Sequence, residues 1–498
     1  MRPRPRSLIT AAVAATCTLG LVATSAGATT PPELSSAVVP NADPTADPTS
    51  APLPEPGLCP PEPRPAGCDP QTNTRRDWGA PPANSPIGAG SFFSYPNRTY
   101  GEKIAIRNRV LNTINSTWGW YTTDPVVTPL TRWKHGSIKM TTWSFGDATL
   151  KNALIAARNR GVSVQVVAAA SINNDGLHPE WPSIRSAIGT SVSNDPDASF
   201  ATQCSGACRG PGGAAHSKYF LFEDVGSGHH RNITVQTSMN LTSFAYNGQW
   251  NQATVMSNAD VYSDFLRVFD LSANKRQGGY LRYSSGSNIY NIFFPGGSQS
   301  RDPILNALNQ VRCKGATSGG VNGRTRIRLI NYAIYQTRGN AIAKKLRSLW
   351  NYGCNVRIIY SISSRPVLSI LRSRSGRGAI PMKQSVIKNG RGEIVKYNHS
   401  KWLAISGYYA GRSRGTWTVV PGSANLADLS YGSDEQHQQI FSYSWTKPYF
   451  GTFDKTWSQT TSRYPAYGRV GVTARALNTI PEQPTFGEGI YKYMSEGG

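Results

Sequence analysis

His216-Ser217-Lys218-Tyr219-Phe220-Leu221-Phe222 and His399-Ser400-Lys401-Trp402-Leu403-Ala404-Ile405 are the two stretches on which the reading of this chain turns. Each sets a His-Ser-Lys triplet at the head of an apolar run. Each is trailed by Ser-x-Asn, as Ser238-Met239-Asn240 and as Ser423-Ala424-Asn425. The His-to-Asn intervals are 24 and 26 residues, and Leu241/Leu426 and Tyr246/Tyr431 then keep a common offset of 185. With 7 histidines in 498 residues, two identical triplets with the same sequel point to a duplication rather than accident.

The elements ahead of each triplet repeat as well. Ile138 to Trp143 reads as a strand and Asp147 to Arg160 as a helix, with apolar residues at Leu150, Ala153, Leu154 and Ala157. Gly161 then stops the helix and Val162 to Val167 alternates as a second strand. Thr325 to Ile330, Asn340 to Asn351, Gly353 and Val356 to Ile359 repeat that order. From Leu150/Ile342 through Leu154/Leu346 to Gly161/Gly353 the offset stays at 192. A helix between two such strands is a crossover, which forces parallel pairing. The expected fold is α/β: two pseudo-twofold-related α/β lobes with mixed, largely parallel sheets flanked by helices, over residues 87–290 and 291–498.

In a strand, residues two apart share a face, so His216 and Lys218 project together, as do His399 and Lys401. A pseudo-twofold would gather two imidazoles, two ammonium groups and the carboxamides of Asn240 and Asn425 around one point. That set suits displacement at a phosphodiester. One neutral imidazole attacks phosphorus, while the other, protonated, donates to the leaving oxygen and afterwards activates water. Lys and Asn neutralise the equatorial oxygens, a task a metal performs elsewhere. No metal or other cofactor is expected.

This is the pattern of the phospholipase D superfamily, whose duplicated His-x-Lys-(x)4-Asp and Gly-Ser-x-Asn motifs these segments resemble, from about Ser137 to Tyr443. By similarity to secreted bacterial phospholipases D, the resemblance implies His216 as nucleophile and His399 as general acid/base, with Ser238 and Ser423 in support. Two departures stand out. The family Asp is replaced by Glu223 and Ser406, and Thr237 stands where the first motif would have Gly. In the family an acidic residue shortly after Ser-x-Asn orients a catalytic His. The second copy offers Glu435, beside Asp434, whereas the first offers only Asn251 and Gln252, so the two imidazoles are expected to be unequally tuned.

Composition sets the context. Lys+Arg 52 against Asp+Glu 28 gives a formal net charge of +24, which favours an anionic partner. At 39% hydrophobic residues, wholesale disorder is excluded. Arg2, Arg4 and Arg6, the apolar Leu8 to Val22, and Ala26-Gly27-Ala28 read as a signal peptide over residues 1–28, and hence as secretion. Residues 29–86 form a Pro/Ala/Thr-rich leader expected to be disordered. Six cysteines then remain, and nearest-neighbour pairing suggests Cys59–Cys68, Cys204–Cys208 and Cys313–Cys354 among 15 connectivities.

Other candidates carry plainer readings. His229-His230 reads as a solvated hairpin tip, His135 and His178 as surface residues, and His437 as a residue within possible reach of the site. The stretch Arg365, Arg372, Arg374, Arg377, Lys383, Lys388, Arg391 and Lys396, with the single acid Glu393, reads equally as an anion-steering lip or a solvated loop. Trp118, Trp120 and Tyr121 suit either core or a stacking surface. The function expected is a secreted phospholipase D-type phosphodiesterase acting on glycerophospholipids. A nuclease or wall-polymer phosphodiesterase on the same site is the alternative, and a catalytically silent anion-binding protein the third reading. The expected partners are phospholipid headgroups or another anionic phosphodiester, with a membrane surface or nucleic acid possible, and the chain is expected to be a monomer because both motifs lie in it.

Overall fold

Asp147 shows how locally the sequence sets its elements. Its carboxylate accepts from the backbone N–H of Thr149 at 2.9 Å and of Leu150 at 3.0 Å, capping helix α1 (Ala148–Asn159). Leu150, Ala153, Leu154 and Ala157 face the core, and Gly161 ends the turn at φ +89°, where a side chain would also strike the Trp120 ring. The computed structural model describes residues 79–83, 88–124, 132–170, 178, 180–388 and 394–460. The expected signal peptide, most of the leader, the Cys59–Cys68 pair, Arg391, Glu393 and residues 461–498 lie outside the described residues.

Among the described residues two large sheets, of nine and eight strands, carry the architecture. The first contains β1 (Ser137–Thr142), β2 (Ser163–Ala169), β3 (Phe200–Cys204), β4 (Tyr219–Val225), β5 (His230–Thr237) and β6 (Gln249–Ser257), in the order β6-β5-β4-β1-β2-β3. The second contains β7 (Arg326–Ile334), β8 (Asn355–Ser363), β9 (Met382–Gln384), β10 (Lys401–Gly407), β11 (Thr416–Pro421) and β12 (Glu435–Phe441), in the order β12-β11-β10-β7-β8-β9. The two orders are the same, and so is the sense of every pairing. β1–β2–β3 and β7–β8–β9 run parallel, and the rest of each six-strand set is antiparallel. The sheets are therefore mixed, as expected, but not largely parallel. Within each six-strand set parallel pairing is confined to the crossover unit, because the strands from each His-Ser-Lys onward reverse direction from one to the next.

The sheets also exchange elements across residue 290. Leu281–Ser285 and Ile289–Phe294 extend the second sheet, with Ile289 opposite Ile440. Ile394–Asn398 instead joins β6 of the first, pairing Tyr397 with Gln249 and Asn398 with Trp250. Between the sheets lies a shared apolar core. Tyr219 and Leu221 of β4 join Trp402 and Ala404 of β10, Phe265 of helix α2 (Ala259–Ala273), and Tyr449 and Phe453. Burying each large side chain contributes about 1.5–3 kcal/mol, so this layer clamps the lobes together. Cys204–Cys208 and Cys313–Cys354 are disulfide-bonded, as the spacing suggested. Among the described residues no helix is long and apolar enough to cross a membrane.

Candidate active site

Each His-Ser-Lys segment sits at the mouth of its strand and is stitched to the opposite lobe. The N–H of His216 donates to the carbonyl of Asp434 at 3.1 Å, and that of His399 to the carbonyl of Trp250 at 2.9 Å. Asp434 and Trp250 immediately precede Glu435 and Asn251. The backbone bridge thus sets each imidazole beside its side-chain partner across the lobe interface. His216 Nδ1 lies 2.9 and 3.0 Å from the two Glu435 oxygens, and His399 Nδ1 lies 3.1 Å from Asn251 Oδ1.

These partners fix the tautomers. Ser423 donates its hydroxyl to Glu435, and Ser238 donates to Asn251 Oδ1 at 2.8 Å. Asn251 Nδ2 is committed to the carbonyl of Ala245 at 2.9 Å, so its oxygen must face His399. Both imidazoles therefore carry their proton on Nδ1 and present a lone pair on Nε2. The serines expected in support act through these acceptors.

The lysines and a pair of glutamines complete the symmetry. Lys218 Nζ donates to the carbonyl of His216 at 2.6 Å, and Lys401 Nζ to that of His399 at 2.7 Å. The Lys218 N–H donates to Gln436 Oε1 at 3.2 Å, and the Lys401 N–H to Gln252 Oε1 at 3.1 Å. Gln436 Nε2 returns a bond to the Lys218 carbonyl at 3.0 Å, and Gln252 Nε2 to the Gly422 carbonyl at 3.0 Å. Asn240 and Asn425 are buried at 1% and 6% exposure. Among the described residues, the whole Asn240 carboxamide and Asn425 Oδ1 find no hydrogen-bond partner, which leaves them available to a ligand.

The electrostatics are unequal, as the sequence suggested. Burial pushes His216 down to about 4, against the pull of Glu435 and with the help of Lys218 and Lys401. His399 is held well below the ordinary imidazole range by burial, then by Lys401, Lys218 and His216, with no carboxylate to oppose them. Each imidazole thus feels both ammonium groups, and His399 also feels His216. Burial opposes ionisation of Glu435, but His216, Lys218 and Ser423 outweigh it and hold its carboxyl below the usual range.

A pocket reaches this centre, lined by Trp143, Tyr335, Asn425, Leu429, His216 and Glu435. The Trp143 ring meets His216 edge-on at 5.5 Å, and Tyr332 meets His399 at 5.1 Å. Behind Asn425, Arg338 donates to its carbonyl at 2.8 Å and forms a fully buried ion pair with Asp302 at 2.7 Å. Sequence reasoning missed Trp143/Tyr335, although that pair keeps the 192-residue offset of the crossover units, and Gln252/Gln436, whose separation of 184 is one short of the offset at Leu241/Leu426. It also missed Asp302 and Arg338, for which no local signal exists.

Other expectations need correction. His437 lies on β12 against Phe294 at 5.7 Å and under the influence of Arg338 and Asp302, and is not among the groups surrounding His216 and His399. His178 is buried, and His135 pairs with Asp197, a partner 62 residues away, so neither is a simple surface residue. His229 is not a solvated tip: its ring stacks on Trp118 and Tyr121 at 4.7 and 4.5 Å and contacts Asp224 at 3.0 Å. The basic stretch is partly spent internally. Arg377 donates to the carbonyls of Trp350 and Cys354, Lys383 to those of Trp457 and Thr460, and Lys396 to that of Pro96. Among the described residues no three His, Cys, Asp or Glu side chains converge as a metal site.

Two imidazoles and two ammonium groups thus share one centre within an α/β fold. Residues 134–272 match the family model described as "Cardiolipin synthase, PLD-like domain", and the His-x-Lys and Ser-x-Asn pattern of that segment recurs at His399 and Asn425 in the second half. Similar solved structures include phosphatidylserine synthase from Haemophilus influenzae Rd KW20, at 11% identity over 75% of this chain and 88% of that one, TM-score 0.48. Nuc from Salmonella typhimurium, a phospholipase D family member, is 20% identical over 38% of this chain and 95% of its own, TM-score 0.25. Polyphosphate kinase from Porphyromonas gingivalis is 14% identical, TM-score 0.46; the match covers 78% of this chain but only 54% of the kinase. No curated protein sequence matches the chain.

Proposed function

We propose that this protein is a secreted phospholipase D-type phosphodiesterase that hydrolyses glycerophospholipids to phosphatidic acid and the free headgroup. One observation carries the reading: His216 and His399 are each anchored through Nδ1 on the opposite lobe, so that both work on one centre between both lysines.

The unequal partners assign the roles. His216 Nε2 attacks phosphorus, a P–N bond forms, and the P–O bond to the headgroup breaks as His399 Nε2–H protonates the departing oxygen. Phosphorylation makes the His216 ring cationic, and Glu435 stabilises that charge through Nδ1–H. His399, lacking a carboxylate, is the stronger acid, and the anionic phosphodiester held by Lys218, Lys401, Asn240 and Asn425 draws a proton onto it on binding. Water then gives a proton to His399 and attacks phosphorus, expelling His216.

Lipid is favoured over polyanion because Trp143, Tyr335 and Leu429 line the pocket beside His216 and part of the positive charge is internal. Arg107, Arg160, Arg338 and Arg347, like Arg377, Lys383 and Lys396 of the basic stretch, bind carboxylates or carbonyls within the fold. The formal +24 is what supports the second reading, a nuclease or wall-polymer phosphodiesterase. The two disulfides are compatible with an extracellular site of action. One assay separates the readings: purified protein with chelator on phosphatidylcholine vesicles, single- and double-stranded DNA, and a generic phosphodiester. Lipid cleavage without DNA cleavage is expected. DNA cleavage with steep salt inhibition selects the second reading, and silence on every substrate overturns both.

A further inference from the structure

The two half-sites differ in what stands behind the anchoring carbonyl. On the His399 side it is Trp250, a buried aromatic. On the His216 side it is Asp434, and its carboxylate is gripped by the loop that leads from β3 to His216. Cys204–Cys208 closes that loop at the end of β3, and the Cys208 N–H donates to Asp434 Oδ2. Arg209 follows at once. Its guanidinium is 1% exposed, lies with Nε 3.3 Å from Asp434 Oδ1, and donates from Nη2 to the carbonyl of Phe294. The backbone of Asp434 is held on both sides by the same loop, donating to Ala214 O at 2.8 Å and accepting from the His216 N–H at 3.1 Å. Gly213 is fitted so closely to Gly432 that a Cβ would come within 2.4 Å of its carbonyl.

The geometry points to Arg209 as a positioning residue for the reaction: by pinning Asp434, it fixes the neighbouring Glu435 carboxylate against His216. The inference rests on the two-histidine reading above and adds to it a latch that only the nucleophile's half-site possesses. Two adjacent buried carboxylates repel each other, and burial together with Glu435 raises Asp434 to about 6 against the pull of Arg209. A buried charge that loses its partner is strongly unfavourable, so without Arg209 the segment has reason to shift or take up a proton. The groups facing this cluster are Arg209, Glu435 and the Tyr219 phenol around Asp434, and Lys218, Lys401 and Glu435 around His216.

Arg209→Met keeps the bulk and removes the charge; Arg209→Met with Asp434→Asn removes both charges. Each is assayed in the full chain on a generic phosphodiester, with the downfield His216 Nδ1–H proton followed in histidine-labelled protein. Arg209→Met is expected to lose about 10–100-fold in kcat with KM within about threefold, and to lose or broaden that resonance. The double variant is expected to recover most of both, which damage to the fold alone would not allow. Unchanged kcat and resonance in Arg209→Met, or a double variant as impaired as the single, overturns the latch. Where Arg209→Met does not fold, Asp434→Asn carries the test, with a weakened resonance and about tenfold lower kcat expected and unchanged values refuting it. Activity surviving in His216→Ala would instead overturn the two-histidine reading, and the resonance reports on the latch even then.

Discussion

Replacing Glu435 by Gln probes the unequal tuning of the site directly. The amide can still accept from His216 Nδ1–H, so geometry is retained and only the charge is lost. With Nδ1 2.9 Å from the carboxylate, the ring centre lies about 4 Å away, where opposite charges attract by about 4 kcal/mol at an effective dielectric of 20. The amide dipole returns part of this, so the phosphorylated ring and the transition state leading to it lose about 2–4 kcal/mol, or roughly 30–1000-fold in kcat. Because Glu435 pulls the His216 pKa upward, its loss also moves the acid limb of kcat/KM to lower pH. Asn251→Asp gives His399 the missing carboxylate and is expected to move the alkaline limb to higher pH. Both profiles are to be measured on a generic phosphodiester, with thermal melts to confirm folding. A Glu435→Gln enzyme within threefold of the parent, with the same acid limb, would refute the reasoning.

Three further outcomes follow from the same geometry. His437 is buried and pushed down to about 4, below its unfolded value of 6.5, so the unfolded chain binds the extra proton and stability falls as pH drops through that window. His437 alone contributes about 2 kcal/mol between about pH 7.5 and about pH 5, and urea titrations of His437→Leu should show a pH dependence flatter by that amount. Arg338→Met leaves Asp302 buried without its partner and should cost about 3–5 kcal/mol in the same titrations, while Asp302→Asn with Arg338→Met recovers much of it. Gln252→Leu and Gln436→Leu each remove bonds bridging the lobes at a lysine backbone, and each should lower kcat more than it raises KM; equal effects on both would deny the glutamines a positioning role.

The repeated crossover unit was legible because it rests on local signals. A capped helix, a glycine stop and an alternating strand recur at a fixed offset. His-Ser-Lys was legible because two residues of rare combination recur at the head of apolar runs. What stayed hidden is whatever depends on one lobe meeting the other. Glu435 follows the second Ser-x-Asn yet serves the first histidine, and Asn251 serves the second, because the backbone bridges at Asp434 and Trp250 cross the interface. No spacing within either copy encodes that exchange. His135 shows the same blindness on a smaller scale, since its partner Asp197 is 62 residues distant. The charge balance misled in its own way: counting cations does not reveal that Arg209 and Arg338 are buried and that Arg377 is bonded to backbone carbonyls.

The most direct test is to stop turnover rapidly in base, where a phosphorylated imidazole survives, and to map the phosphoryl group by mass spectrometry. A single phosphoryl group on His216, accumulating further in His399→Ala and absent from His216→Ala, is the predicted result. A phosphoryl group on any other residue, or none while product forms at full rate, would contradict a nucleophile presented from one lobe and held by the carboxylate of the other.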